Sequence, residues 1–257
     1  MRSSDRSHWE RFWSRDRKPG DIYGNDDRIA EEIPARADIR GRIVLEVGAA
    51  TARDSAALAD LGAVAVALDY SPAALRVARE ATSGSAGVLL VCGDALALPF
   101  RSGSIDVTFS QGVLEHFREP MPVLAEQARV LRQGGVLLAD VPQTFHPYTV
   151  MKKILIVLGA WFAGWETQFT RRSLSSLISR AGLAPFDAYG RFFHPSLSYR
   201  LLREALFRIG VRIPLRPVII PAVSRLRGRI RRAIEKSPAG TSLGSVIGVF
   251  ARKEGSS

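Results

Sequence analysis

The sequence has one cysteine and no long apolar run, and both absences narrow the classes of protein that it fits. Cys92 alone cannot form an internal disulfide, so we expect a reducing, cytoplasmic setting. No run approaches 18 apolar residues, which excludes an ordinary membrane-spanning helix. Residues 1–20 are charged and contain no apolar segment, so no secretory signal is expected there. No Cys, His and Asp cluster has metal-ligand spacing, so no metal site is predicted.

Acidic residues are scarce near the C-terminus. The chain has a formal net charge of +11, and residues 191–257 contain 14 Lys and Arg against three Glu and no Asp, so this segment holds the whole excess. Within residues 215–236, arginines alternate with Leu226, Ile230 and Ile234. A basic amphipathic helix of this kind is either a solvated face or a peripheral contact with anionic lipid or an acidic substrate. Nucleic acid is disfavoured, because no recognised nucleic-acid-binding module accompanies the arginines.

The length and composition suit one core with additions. A chain of 257 residues with 46% hydrophobic content can bury a single substantial core. We therefore expect an N-terminal arm over residues 1–40 and one domain over residues 41–257, with insertions at about 145–168 and 194–240.

The stretch from Ile43 to Asp69 organises that domain. Ile43–Val47 is a short apolar run that predicts a buried strand, and it carries one carboxylate, Glu46. The small residues 48–52 then allow a sharp turn at which a ligand can approach the backbone. Thr51 and Asp54 predict a side-chain cap for a helix that ends at Gly62. Residues 63–69 predict a second buried strand that ends in Asp69.

A third strand, residues 88–94, also ends in an acid, Asp94, and its Cys92 is predicted to lie in the core. The three acids Glu46, Asp69 and Asp94 end successive predicted parallel strands. Because such strand ends converge on one crevice, we expect the acids to surround one ligand site.

Four motifs resemble those of class I S-adenosylmethionine (SAM)-dependent methyltransferases. Glu46-x-Gly48-x-Ala50-x-Ala52 is similar to the family's first motif, acid-x-Gly-x-Gly-x-Gly, with two glycines replaced by alanine. The second and third motifs resemble residues 69–72 and 94–100, and residues 111–117 contain the Leu-Glu-His signature of the quinone-biosynthesis-like branch. The first motif alone also fits an ordinary strand-to-helix turn of another α/β protein. Ala50 favours SAM over NAD, because a pyrophosphate needs closer backbone contact than a Cβ permits.

The resemblance implies a Rossmann-like α/β fold. We expect a seven-stranded, mostly parallel sheet with helices on both faces and an antiparallel last strand, plus an N-terminal helical arm and an inserted helical lid. The implied function is methyl transfer from SAM to the O, N or activated C of a small molecule, either lipidic or aromatic. Alternatives are a non-catalytic SAM-binding protein and an NAD-dependent oxidoreductase. The implied cofactor-binding residues are Glu46, Gly48, Ala49, Ala50, Asp69, Tyr70, Asp94, Ala95, Gln111 and Gly112.

Histidines are the candidate general bases, since their ordinary pKa suits proton transfer near neutral pH. His116 follows the fourth predicted strand, near where the methyl group should lie, and His146 opens the first insertion; His194 is a third candidate. A purely structural role is the alternative for each.

Two further segments have open interpretations. Trp9, Phe12 and Trp13 lie on one predicted helical face, which either packs onto the domain or covers the cofactor. Residues 148–165 form an apolar insertion that includes Lys152 and Lys153. It is either a buried helix, or else a lid or interfacial helix.

Overall fold

The structure is a computed structural model. It describes residues 6–14, 28–85, 87–158, 166–192 and 244–255, and short stretches between 199 and 235. Seven strands form one sheet: Ile43–Val47 (β1), Val64–Asp69 (β2), Val88–Cys92 (β3), Ile105–Gln111 (β4), Leu131–Pro142 (β5), Ala184–Arg191 (β6) and Val246–Arg252 (β7). The helices are Arg6–Trp13 (α1), Arg28–Glu32 (α2), Arg53–Asp60 (α3), Pro72–Ala81 (α4), Met121–Val130 (α5), Pro147–Val157 (α6) and Arg171–Arg180 (α7).

The sheet has the strand order β3-β2-β1-β4-β5-β7-β6. β1 to β5 are parallel to one another, whereas β7 pairs antiparallel with both β5 and β6. The predicted seven-stranded α/β fold with an antiparallel last strand is therefore confirmed. Strand order reverses between β1 and β4, and an open α/β sheet binds its ligand in the crevice outside the carboxyl ends of the strands at such a switch point.

Both faces of the sheet are covered, as alternation along β1 shows. Leu45 and Val47 pack in a cluster with α5 and α7, whereas Val44 packs in a second cluster with α2 and α3. Successive side chains of a strand point to opposite faces, so the two clusters lie on opposite sides of the sheet.

A buried ion pair joins α2 to the sheet. The Arg28 guanidinium donates to both Asp140 oxygens, at 2.7 and 3.1 Å, and the Tyr189 hydroxyl donates to Asp140 at 2.6 Å. Ile29 and Ile33 beside it are fully buried in the core. Residues 28–33 of the predicted arm thus pack as part of the domain's core.

Three local predictions were wrong. α3 begins after Ala52 without a side-chain cap, so Thr51 and Asp54 do not form the predicted capping pair. α5 ends at Val130 and β5 starts at Leu131, although the apolar spacing and the following glycines predict a helix from Met121 to Gln133. Cys92 is exposed rather than buried, because β3 is an edge strand with one neighbour.

The predicted additions are described in part. The first insertion forms α6, and the start of the N-terminal arm forms α1. His194, most of the insertion at 194–240 and most of the basic segment 215–236 lie outside the described residues. Within the described residues no helix is both long and apolar enough to cross a membrane. In that same part of the chain, no group of three or more His, Cys, Asp or Glu residues is placed to hold a metal ion.

Candidate active site

A cavity opens at the carboxyl ends of the parallel strands, at the switch point between β1 and β4. Its lining comes from five segments of the chain: Trp9 and Trp13 of α1, Gly48 and Ala50 after β1, Leu68, Asp69 and Tyr70 at the end of β2, Gly93 and Ala95 after β3, and Gln111, Gly112, Val113, His116 and Phe117 after β4. The convergence of strand ends predicted from the sequence therefore produces one cavity.

The turn after β1 is tightly constrained. Gly48 has a φ of +75°, and a Cβ added there would lie 2.5 Å from a Val113 methyl carbon, so only glycine fits. Ala50 and Ala52 also have positive φ values, 50° and 51°. The left-handed conformation costs a residue with a Cβ roughly 1–2 kcal/mol, so the surrounding contacts must impose it.

Asp69 supplies the main contacts that hold this turn. One carboxylate oxygen accepts from the Ala50 amide at 2.9 Å, and the other accepts from the Ser71 amide at 2.9 Å. The carboxylate thereby joins the turn after β1 to the start of α4. Burial raises the pKa of Asp69, although the backbone hydrogen bonds oppose that shift. A carboxylate has about four lone-pair sites, so two oxygens that each accept one of these bonds retain capacity for a diol.

Glu46 lies beneath the turn and not on the cavity wall. Its carboxylate accepts from the Ser55 amide at 3.2 Å and from the Ser55 hydroxyl at 2.5 Å. It therefore satisfies a donor in the first turn of α3, the task that the sequence assigned to Thr51. Burial, with Asp54 nearby, raises the pKa of Glu46 well above its usual range.

Seven of the ten predicted cofactor-binding residues line the cavity: Gly48, Ala50, Asp69, Tyr70, Ala95, Gln111 and Gly112. Glu46, Ala49 and Asp94 are close in sequence but are not among the lining residues. The Asp94 carboxylate accepts from the Leu96 amide at 2.9 Å, which shapes the loop that presents Ala95.

His116 lines the cavity and faces α1. Its ring meets Trp9 edge-on, with the ring centroids 4.9 Å apart. Burial lowers its pKa to about 4, so the imidazole is neutral at physiological pH. The structure thus places this candidate base at the cavity.

His146 lies elsewhere, at the start of α6. Its Nε2 is 3.1 Å from the Ser245 hydroxyl, and its ring packs near Phe192. Burial lowers its pKa, and it is not among the residues that line the cavity.

The sequence did not single out one cluster beside the cavity. Glu115, next to His116, is 4% exposed and lies near a buried ion pair between Lys152 of α6 and Glu166. These residues are far apart in sequence, so only the folded chain shows their proximity. The Leu-Glu-His motif contains Glu115, but the sequence indicated only its histidine, His116, as a candidate base.

The strain at Ala50 predicts how a substitution there changes the stability of the protein. Ala50→Gly should raise the free energy of unfolding by about 0.5–1 kcal/mol, because relief of the left-handed strain exceeds the entropy that glycine adds to the unfolded chain. Ala57→Gly, in the middle of α3, is the matched control and should lower it by about 1 kcal/mol. Urea denaturation measures both. A loss of stability at position 50 as large as that at position 57 would contradict the assignment of strain.

Comparison with known proteins agrees with this geometry. Residues 45–139 match the methyltransferase domain family. The chain is 39% identical over 154 residues to a demethylmenaquinone methyltransferase of Renibacterium salmoninarum, a match that covers 60% of this chain and 58% of the relative. It is 33% identical to a malonyl-[acyl-carrier protein] O-methyltransferase of Xylella fastidiosa, over 49% of this chain and 43% of that protein. The chain spans about half the length of the curated relatives that it matches.

The fold has solved counterparts as well. A SAM-dependent methyltransferase structure from Thermotoga maritima superposes with a TM-score of 0.66 at 18% identity, covering 97% of this chain and 99% of that one. At this identity the likeness concerns the fold. Residues 45–139 therefore match a methyltransferase domain, and the strand-end motifs and the sheet order agree with the fold of SAM-dependent methyltransferases.

Proposed function

We propose that this chain transfers a methyl group from SAM to the O, N or activated C of a small-molecule acceptor. The observation that carries the proposal is the Asp69 carboxylate, which lies on the cavity wall between two strand-end turns and retains capacity to accept from a diol. A sulfonium methyl is already electrophilic. The protein therefore needs only to align the acceptor, exclude water and accept a proton where one is lost.

The proposed cofactor contacts follow the lining. Asp69 accepts hydrogen bonds from the two ribose hydroxyls, and Tyr70 packs on the adenine. The backbone at Ala95 meets the adenine edge, and Gly48 and Ala50 let the methionine part approach the turn. Gln111 and Gly112 close the site at the end of β4. Glu46, Ala49 and Asp94 support these positions through the turns that contain them.

The acceptor side of the cavity is apolar and aromatic. Trp9, Val113 and Phe117 line the cavity beside His116, whereas Trp13 packs with Ala50 and α4. Such a surface favours an aromatic or lipidic acceptor over a highly charged one. The Renibacterium relative, named for a quinone substrate, supports the aromatic class. His116 and His146 remain candidate bases, although a pKa near 4 makes His116 a weak one.

Titration calorimetry with SAM and with NAD tests the cofactor. We expect SAM to bind and NAD not to bind, because the Cβ of Ala50 obstructs a pyrophosphate. Transfer of a labelled methyl group to demethylmenaquinol and 1-naphthol then separates an enzyme from a non-catalytic SAM-binding protein. Binding of NAD in place of SAM would contradict the proposal. SAM binding without transfer to any acceptor in a wider panel would favour the non-catalytic alternative.

Asp69→Asn should weaken SAM binding at least about tenfold, because charge-assisted hydrogen bonds to a carboxylate are each worth about 1.5–3 kcal/mol. Asparagine preserves the size of the side chain and one acceptor oxygen for the turn. Asp60→Asn, at the exposed end of α3, removes a carboxylate away from the cavity and is the control. Equal SAM affinity in folded wild type and Asp69→Asn would rule out the ribose contact.

We also propose that α1 is a lid over the cofactor. The Glu10 carboxylate accepts from the Ser71 hydroxyl at 2.5 Å and from the Ala73 amide at 3.3 Å, at the start of α4. On the same helix, Trp9 contacts His116 across the cavity. One short helix therefore touches both the Asp69 side and the acceptor side of the site, as a cover would.

Glu10→Ala should raise the SAM dissociation rate about tenfold and change the association rate less, because it removes hydrogen bonds that hold α1 closed, each worth about 1 kcal/mol or more. Stopped-flow tryptophan fluorescence measures both rates. Arg11→Ala, on the exposed face of α1, is the control. An unchanged SAM dissociation rate in Glu10→Ala would mean that α1 packs against the domain but does not act as a lid.

We also propose that the protein makes a peripheral contact with a membrane. α6 exposes Ile154, Val157 and, just after its end, Leu158, with 57%, 86% and 71% of their surface accessible. The C-terminal charge excess in the sequence would favour binding to an anionic surface. The cytoplasmic setting inferred from the single cysteine stays a prediction.

The protein should bind vesicles that contain phosphatidylglycerol and release them as salt rises, because the Debye length is about 8 Å at physiological ionic strength. Ile154→Gln should weaken this binding. Leu89→Gln, which removes an exposed leucine from β3, should not. Co-sedimentation measures all three proteins. Equal binding to phosphatidylcholine vesicles at every salt concentration would argue against the charge contribution.

A further inference from the structure

Glu115 has a buried carboxyl group that the proposed cofactor contacts do not use. It lies in the short 3-10 helix Leu114–His116, and within the described residues its Oε2 has no hydrogen-bond partner. Its backbone oxygen accepts from the Thr167 amide at 2.7 Å, which fixes the turn. A buried carboxyl oxygen without a partner is costly, so its retention beside a cavity points to a function.

The charged groups around Glu115 come from three other segments. Lys152 of α6 and Glu166 form a buried ion pair, and Asp140 of β5 is bonded to Arg28 and Tyr189. His116 is its neighbour on the same turn. Besides Glu115, the cluster thus holds two carboxyls, those of Glu166 and Asp140, and one lysine that is already paired with Glu166. Burial and the nearby Glu166 together raise the pKa of Glu115 to about 8, although Lys152 opposes the shift.

The carboxyl has a route to the cavity. Gly112 lines the cavity and has no side chain, and a Cβ added there would lie 3.6 Å from Glu115 Oε1. Among the described residues outside its chain neighbours, no other atom lies within 4 Å of that point. Glu115 itself is not among the lining residues, but with glycine at position 112 no side chain stands between its carboxyl oxygen and this part of the cavity wall.

His116 suits the same task less well. It reaches the cavity directly, but an imidazole with a pKa near 4 holds an abstracted proton weakly at neutral pH. The Glu115 carboxyl has a pKa of about 8, close to physiological pH, and a general base is most effective in that range.

We propose that Glu115, reached past Gly112, takes the proton of a weakly acidic hydroxyl acceptor such as a phenol or hydroquinone. The inference rests on the proposed methyl transfer. The acceptor oxygen forms the new bond to the methyl carbon, and the bond from that carbon to sulfur breaks with both electrons going to sulfur. The O–H bond breaks at the same time, its electron pair stays on the acceptor oxygen, and the proton passes to the ionised carboxylate.

The pH dependence of 1-naphthol methylation tests the proposal. Only the ionised carboxylate is active, so the wild-type rate should rise about tenfold per pH unit and level off near pH 8. Glu115→Gln should lower the rate at pH 8 by about 10²-fold or more while SAM affinity stays within about twofold. Its remaining rate should keep rising above pH 8, because it depends on acceptor that is already ionised in solution. Glu119→Gln, an exposed neighbour, is the control and should match wild type.

A second variant tests the same group without replacing it. Glu166→Gln removes a negative neighbour and leaves Lys152 to interact with Glu115, so the point at which the rate levels off should move to lower pH. A wild-type rate that is already level above about pH 5, or a Glu115→Gln protein with full activity, would overturn the proposal in favour of His116 or of no base.

Two measurements do not need turnover. Between about pH 5 and 8 the folded wild type holds a proton on Glu115 that the unfolded chain has lost, so its stability should fall as pH rises, and this fall should be smaller in Glu115→Gln. In infrared difference spectra of the S-adenosylhomocysteine complex, 1-naphthol should perturb a protonated carboxyl band that is missing in Glu115→Gln.

These measurements distinguish a failure of the proposed methyl transfer from a failure of the proposed role of Glu115. A protein that binds SAM but methylates nothing would contradict the proposed function, and the infrared band would still decide whether Glu115 meets the probe. The absence of any perturbed carboxyl band would overturn the role of Glu115, even in an active enzyme.

Discussion

The Asp69 carboxylate is the interaction on which the site depends. Its two oxygens each accept a backbone amide, one from the turn after β1 and one from the start of α4. Two crossover connections are thereby held at a fixed separation, and the cavity is the space between them. Ser71, whose amide Asp69 binds, is in turn the residue that Glu10 of α1 contacts. One buried carboxylate thus sets the floor of the site and, through Ser71, the position of its cover.

The same geometry explains why alanines serve in the turn. Ala50 and Ala52 adopt left-handed φ values that glycine would adopt without strain. The Ala50 amide is bonded to Asp69, and Ala52 is fully buried among other small side chains, so both are held in place by their surroundings. Gly48 is different, because Val113 leaves no room for a Cβ. The motif therefore retains glycine where space requires it and departs from glycine where contacts can impose the conformation.

The strand ends were predictable from the sequence, because buried parallel strands leave apolar runs and their terminal acids converge at one edge. Contacts between distant segments left no such signal. Glu46 bonds Ser55 and replaces the predicted Thr51 cap, and the contact between Trp9 and His116 spans more than a hundred residues. The burial of Cys92 was mispredicted because an apolar run does not reveal whether its strand lies in the middle or at the edge of the sheet. Local pattern gives the elements, whereas order and tertiary pairing decide exposure.

The two adjacent residues Glu115 and His116 show how one physical cause produces opposite shifts. Burial disfavours the charged form of each group, so it raises the pKa of the carboxyl and lowers that of the imidazole. Near neutral pH both side chains are therefore largely uncharged, and this part of the wall presents little net charge to an electrophilic methyl group. A permanent carboxylate there would compete with the acceptor for the sulfonium cation. A carboxyl that ionises only in a fraction of molecules avoids that competition and can still receive a proton.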